Sequence, residues 1–224
     1  MGRFYKLAQP DGFDFYTGKT INYRDNIGGT VCVPPTSTST KRQPNEPILC
    51  SENVIHASRK PLDCFVGAKI PCSAYLVKGN PVVEGSQKCG FFQLDILEEI
   101  EDKDELFGFN YTEACNPINP LLIESKPLED YHKELLKQWA SVGASVGASV
   151  GASVRASVWA SVGAYIGHLF PNIQKWQYIE HEKGVYPFQP CVDLWHDGYV
   201  ASFDGNMWRL HCGKDAKIAY ETTF

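Results

Sequence analysis

The chain has 224 residues, a formal net charge of −5 and no basic run, so it lacks the electrostatic footprint of a nucleic-acid-binding protein. That length can bury a core as one domain or two small ones. The start, Met1 to Lys6, lacks the apolar stretch of a secretory signal, so the eight cysteines are expected as reduced thiols in a cytoplasm.

Taken in chain order, Phe4 to Leu7 reads as a first strand, followed by a turn at Gln9-Pro10-Asp11-Gly12. Phe13 to Tyr16 and Thr20 to Tyr23 alternate weakly around Gly18 and predict a hairpin. Thr30 to Val33 is a short strand stopped by Pro34-Pro35, and residues 36–47 form a polar loop open to proteolysis. Asn53 to Ser58 predicts a strand and Pro61 to Ala68 a short helix with proline in its first turn. Ser73 to Val77 and Phe91 to Ile100 predict two more strands, the second with Phe92, Leu94 and Ile96 facing inward. The acidic run Glu98 to Glu105 reads as a solvated loop.

After a linker at Asn116-Pro117-Ile118-Asn119-Pro120, a helix is expected from Leu128 to Trp139, with Ser125 placed to cap it. This helix feeds into a tetrapeptide tract, Ala140 to Gly167, holding six Ala-Ser-Val triplets at a spacing of four. As one strand those residues would run about 90 Å, far beyond a compact chain of this size. As a helix they run about 42 Å. One long rod of α-helix is therefore expected, although Gly, Ser and Val are weak helix formers and such a rod needs packing partners. Its fourth-position column is mostly glycine, which suits either burial within one domain or contact with a sister helix. Arg155 and the recurring serine argue against a membrane span. In the tail, Pro187 to His196 predicts a helix, Tyr199 to Phe203 and Met207 to His211 a hairpin turning at Asp204-Gly205-Asn206, and Ala216 to Tyr220 a third strand.

The fold class expected is α+β, with a β-rich N-terminal domain (1–124), the repeat helix (125–180) and a small helix-plus-hairpin unit (181–224). No cysteine pair has zinc-knuckle spacing, and no phosphate-loop, nucleophile-elbow or zinc-protease motif is present, so no metal, cofactor or catalytic residue is assigned. One polar constellation is His56, Ser58 and Arg59 at a strand-to-helix junction, where backbone N–H groups and a guanidinium favour an anion. Tyr23, Arg24 and Lys69 join it if the N-terminal strands pack alongside. The other is Trp208 and Arg209 beside Trp195 and His211, a set able to stack on a base. Each also has a purely structural reading, as a capped helix and as a small core.

The stretch Leu49-Cys50-Ser51 and Val54-Ile55-His56-Ala57-Ser58-Arg59-Lys60-Pro61-Leu62-Asp63-Cys64-Phe65 resembles a segment of uncharacterised proteins of bacteriophages and gut bacteria. Those proteins follow it with a Val-Glu-Gly strand, where this chain has Val77-Lys78-Gly79, and the tetrapeptide tract and tail are also similar. The resemblance implies a phage or mobile-element origin and adds no catalytic residue. A fainter likeness is to ADP-ribosyltransferase-type folds, onto which only His56 and Ser58 map, both in one strand and without a glutamate partner.

Three functional classes follow. The first is a phage-borne accessory protein in the host cytoplasm, capturing a small nucleotide-like ligand such as an immune signal, or a host protein. It would form a homo-oligomer through the repeat helix and bind neither DNA nor membrane. The second is an enzyme acting on a nucleotide through His56 and Arg59. The third is a purely structural, self-assembling protein.

Overall fold

The computed structural model describes residues 2–33, 48–49, 51–146, 154–170, 175–176, 179 and 181–224. The chain is α+β, built from helices and three antiparallel sheets, and it divides into two compact units, Met1–Tyr111 and Thr112–Phe224. The expected loop at 36–47 lies outside the described residues, as does the middle of the tetrapeptide tract.

In the first unit β1 (Gly2–Ala8) pairs with β4 (Ser73–Gly79), β4 with β7 (Gln93–Glu99), and β7 with β2 (Thr30–Cys32). A smaller sheet joins β3 (Ile55–Ala57), β6 (Cys89–Phe91) and β5 (Val83–Glu84). The two meet at a backbone stitch, in which Tyr5 N–H donates to the Ser58 carbonyl at 2.8 Å and Ser58 N–H returns to the Tyr5 carbonyl at 2.9 Å. Phe4, Ala8, Ile55, Tyr75, Val77, Phe91, Leu94 and Ile96 form the core between them. On the other face of β1, Leu7 packs with Phe107 of α1 (Lys103–Phe107). Asp102 caps that helix by accepting from Glu105 N–H at 2.9 Å.

Several expectations change here. The single strand at 91–100 is two strands, with Leu94 and Ile96 fully buried but Phe92 44% exposed at the break between them. The acidic run is partly β7 and partly α1. The hairpin expected at 13–23 reduces to one bridge, Phe13 to Asn22, because a buried carboxylate organises this loop in place of a ladder. The short helix after Ser58 is a 3-10 turn over Pro61–Val66.

The second unit begins within α2 (Tyr111–Cys115) and continues with α3 (Asp130–Val146), α4 (Val154–Leu169) and α5 (Gln189–His196). β8 (Tyr199–Phe203), β9 (Trp208–Cys212) and β10 (Lys217–Thr222) form an antiparallel meander. The turn from α5 into β8 needs glycine, since Gly198 has φ +83° and an added Cβ would lie 2.7 Å from Ser125 Cα.

Both described ends of the tetrapeptide tract are helical, in α3 and α4. They do not form one straight rod. Leu136 of α3 and Ala164 of α4 belong to one core with Cys191 and Leu194 of α5 and with Leu210 of β9. In a continuous helix those two residues would stand about 42 Å apart. Burial of both tract ends against the same short helix overrides collinearity.

The packing of α4 explains the serine of the repeat. β8 is an edge strand, and its outward backbone groups meet the serine column. Phe203 N–H donates to Ser157 Oγ at 2.8 Å, Ser157 Oγ–H to the Phe203 carbonyl at 3.3 Å, and Ser161 Oγ–H is shared between the Ala201 carbonyl at 3.2 Å and the Ser157 carbonyl of its own helix at 3.1 Å. A helix advances about 6 Å in four residues, and a strand about 6.8 Å in two. A serine every fourth helical position therefore keeps step with every second strand residue, closing an edge that would otherwise offer unpaired groups.

The two described glycines of α4 differ in environment. At Gly163 an added Cβ would meet nothing within 4 Å, whereas at Gly167 it would lie 2.6 Å from Tyr186 Oη. Ser161→Ala, which removes a fully buried hydroxyl, is expected to destabilise the second unit by about 1–3 kcal/mol in urea unfolding. Ser141→Ala, whose hydroxyl returns to the Lys137 carbonyl of its own helix, should cost less than about 0.5 kcal/mol. Gly163→Ala should stabilise by about 0.5–1 kcal/mol. Equal costs for the two serines would refute the edge-capping role.

Candidate active cavity of the N-terminal unit

β1 has the inward stripe Phe4, Lys6, Ala8, in which the outer two residues are core and the middle one is charged. Lys6 stands opposite Tyr75 in the register of β1 and β4, and its ammonium lies 5.1 Å from the Tyr23 ring centroid. A lysine in this position opens into a cavity of about 540 Å³. Its apolar floor includes Leu7, Ile21, Val54 and Ala57, and its polar wall includes Lys6, His56, Ser58, Cys64 and Lys88.

Each wall is positioned by a local device. The Tyr5–Ser58 stitch brings β3 beside β1, so that His56 and Lys6 share the cavity. Cys64 Sγ–H donates to the Tyr5 carbonyl at 3.2 Å and draws the 3-10 turn against the same strand. The remaining wall is the loop around Asp14, which is 6% exposed. Its carboxylate accepts from Thr17 N–H at 2.7 Å, Thr17 Oγ–H at 2.7 Å, Thr20 Oγ–H at 2.8 Å and Ile21 N–H at 3.4 Å. This knot holds Phe15, Tyr16 and Thr17 at the cavity, with Tyr16 87% exposed.

The electrostatics follow from this geometry. Burial lowers Lys6 to about 8, the neighbouring Lys88 cation adds to the effect, and Cys64 and Asp14 oppose it. Burial, with the cations Lys6 and Lys88, pushes His56 down to about 4, so its imidazole is neutral at physiological pH. Burial alone would raise Asp14, but its four hydrogen bonds win and bring it to about 2. Burial raises the Cys64 thiol, more than offsetting Ser58 and Lys6. Among the described residues, no carboxylate forms an ion pair with Lys6 or Lys88.

Of the residues singled out from sequence, His56, Ser58 and Tyr23 line this cavity. Arg59 turns away, pairing with Glu84 at 2.8 Å and lying over the Phe4 ring. Arg24 is held by both carboxylate oxygens of Glu99 at 3.0 Å. Lys69 is exposed and does not line the cavity. Trp208 and Arg209 belong to the other unit, where Trp208 stacks on Phe203 and Arg209 pairs with Asp204 and Glu221. Both are spent on structure. Lys6 and Lys88 escaped the sequence reading, although a lysine between Phe4 and Ala8 on the core face of a strand was a visible anomaly.

Two polar clusters of the second unit, around Ser202 and around Glu113, are hydrogen-bonded within themselves. Ser202 Oγ lies 2.8 Å from His211 Nε2, and His211 Nδ1 lies 3.0 Å from the Ala216 carbonyl, a nucleophile-like arrangement. Ser202 is fully buried, so no substrate can reach it. Glu113 accepts from Tyr165 Oη–H at 2.7 Å and faces His196 Nε2 at 2.7 Å. Burial opposes that charge, but these hydrogen bonds outweigh it and lower the carboxyl. Among the described residues no group of three or more His, Cys, Asp or Glu is arranged to hold a metal ion, and each described cysteine is a free thiol.

The Asp14 knot has a pH signature. Its folded value lies below that of an unfolded aspartate, so its stabilisation is complete above about pH 4 and is lost as pH falls toward 2. Asp14→Asn should cost about 2 kcal/mol at pH 7, with the gap from the parent chain closing between about pH 4 and 2 in urea titrations. A gap independent of pH would show that the carboxylate charge is not what holds the loop.

No family model, curated protein or solved structure matches the chain, so the functional assignment rests on this cavity.

Proposed function

We propose that the N-terminal unit is a binding module for a small anionic, ring-bearing ligand of nucleotide type. The observation that carries this reading is the convergence of Lys6 and Lys88 on the neutral His56 inside one cavity. Asp14 is the carboxylate that Lys6 feels, and it is already saturated by its own loop. Glu52 and Asp63 also line the cavity, but the charge on His56 is opposed by the two lysines. The desolvated Lys6 ammonium, with Lys88 beside it and no ion pair to either among the described residues, favours an incoming phosphate or carboxylate. The apolar floor and the exposed Tyr16 suit a planar ring, since aromatic stacking is tolerant of base identity.

Calorimetric titration with adenosine, AMP and ATP tests the assignment. Binding is expected for the nucleotides and absent for the nucleoside. Lys6→Met and Lys88→Met should each weaken it about tenfold or more, the loss of one charged hydrogen bond. Arg59→Ala and Arg209→Ala should leave it unchanged, because those guanidinium groups are engaged elsewhere. Equal binding of nucleoside and nucleotide would overturn the anionic reading.

We further propose self-association through the outward face of α4, where Trp159 is 64% and Ile166 40% exposed and Gly163 is open. Light scattering should then give a multiple of the chain mass, reduced to one chain by Trp159→Ser. A single-chain mass for the parent protein at high concentration would remove this reading.

A further inference from the structure

We propose that the ε-amine of Lys6 is a nucleophile that condenses with the carbonyl of an aldehyde or ketone ligand in the cavity, forming a Schiff base. The location of this ligand rests on the cavity reading above. The geometry points to Lys6 because its amine projects from the core-facing stripe of β1 into a walled space. Two features of that space favour the neutral amine, an apolar floor and a second cation at Lys88. The groups that act on it are Asp14 from the loop, Tyr23 beneath the ammonium, Cys64 from the 3-10 turn and Lys88 before β6. His56 of β3 shares the cavity, and Tyr75 stands opposite on β4. None forms an ion pair with Lys6 that would lock it as ammonium, and Asp14 is committed to Thr17, Thr20 and Ile21.

The step is balanced without any co-reactant. The nitrogen lone pair attacks the carbonyl carbon, a C–N bond forms and the C=O π bond becomes a hydroxyl in the carbinolamine. Nitrogen then gives up its remaining proton while the hydroxyl takes a proton and departs as water. The products are one imine and one water. His56, neutral at working pH, shares the cavity and adds no further charge beside the amine.

Lys6 near 8 holds a far larger free-amine fraction at neutral pH than an ordinary lysine near 10.4, which lower basicity only partly offsets. The test treats the full chain at pH 7.5 with sodium cyanoborohydride and either pyridoxal 5′-phosphate or pyridoxal, followed by peptide mass spectrometry. The expected result is labelling of Lys6 about tenfold or more faster than of exposed Lys60 and Lys137 by both aldehydes. Lys6→Arg should abolish the fast phase, and Lys88→Met should slow it with both aldehydes, more with pyridoxal 5′-phosphate, because it removes one of the two features that favour the free amine together with an anion contact. A Lys6-to-Lys60 rate ratio larger with the phosphate-bearing probe supports the anionic cavity, the ratio cancelling the internal hemiacetal that lowers the free aldehyde of pyridoxal. Equal ratios with both probes sink the anionic reading while leaving the nucleophile in place. Label spread over lysines according to exposure, with Lys6 unremarkable, overturns the proposal whatever the ligand, and needs no variant to fold.

Discussion

A cation on the inward face of a sheet is costly unless something compensates it, and this constraint organises the N-terminal unit. Lys6 occupies a place where the strand pattern requires an apolar side chain, between Phe4 and Ala8. Desolvation of an ammonium without a partner is resolved in proteins by a shifted pKa, by an incoming counter-ion, or by water in a cavity. Here the cavity is present and the shift is downward. The residues around it leave the group without an ion pair, since the carboxylate that acts on it, Asp14, is occupied by four donors of its own loop.

That availability depends on how the walls are held. Tyr5 and Ser58 exchange two backbone hydrogen bonds, and Cys64 adds a third contact to the same strand. Ser58 and Cys64 are thereby both fixed at Tyr5 of β1, Cys64 from 59 residues away in sequence. The opposite wall is rigid for a different reason, because a saturated buried carboxylate replaces the missing ladder between 13 and 23. Both arrangements determine where the cavity-facing side chains stand, and so link local hydrogen bonding to the chemistry of the cavity.

The second unit solves a geometric problem with a repeated sequence. An edge strand presents outward groups every second residue, and a helix offers one column every fourth, with nearly equal spacing. Serine supplies both a donor and an acceptor in a short side chain, so Ser157 can bond both the N–H and the carbonyl of Phe203. Among the described residues the fit involves Ser157 and Ser161, after which the column reaches Tyr165, whose hydroxyl joins Glu113 and Ile118. The column drifts by about 40° per repeat, so no helix can keep a long ladder of this kind.

Local pattern alone determined the helical state of the tetrapeptide tract at both described ends, the tail hairpin around Asp204-Gly205-Asn206, and most strands of the first unit. It also brought out His56, Ser58 and Tyr23, which share the cavity. Tertiary structure decided that Arg59 faces Glu84, that both ends of the tract pack on α5, and that Lys6 meets Lys88. The physical reason is the range of the information. Side-chain period tells which face of an element a residue occupies, whereas the partner across that face comes from a segment tens of residues away, through contacts that exist only once the chain has closed on itself.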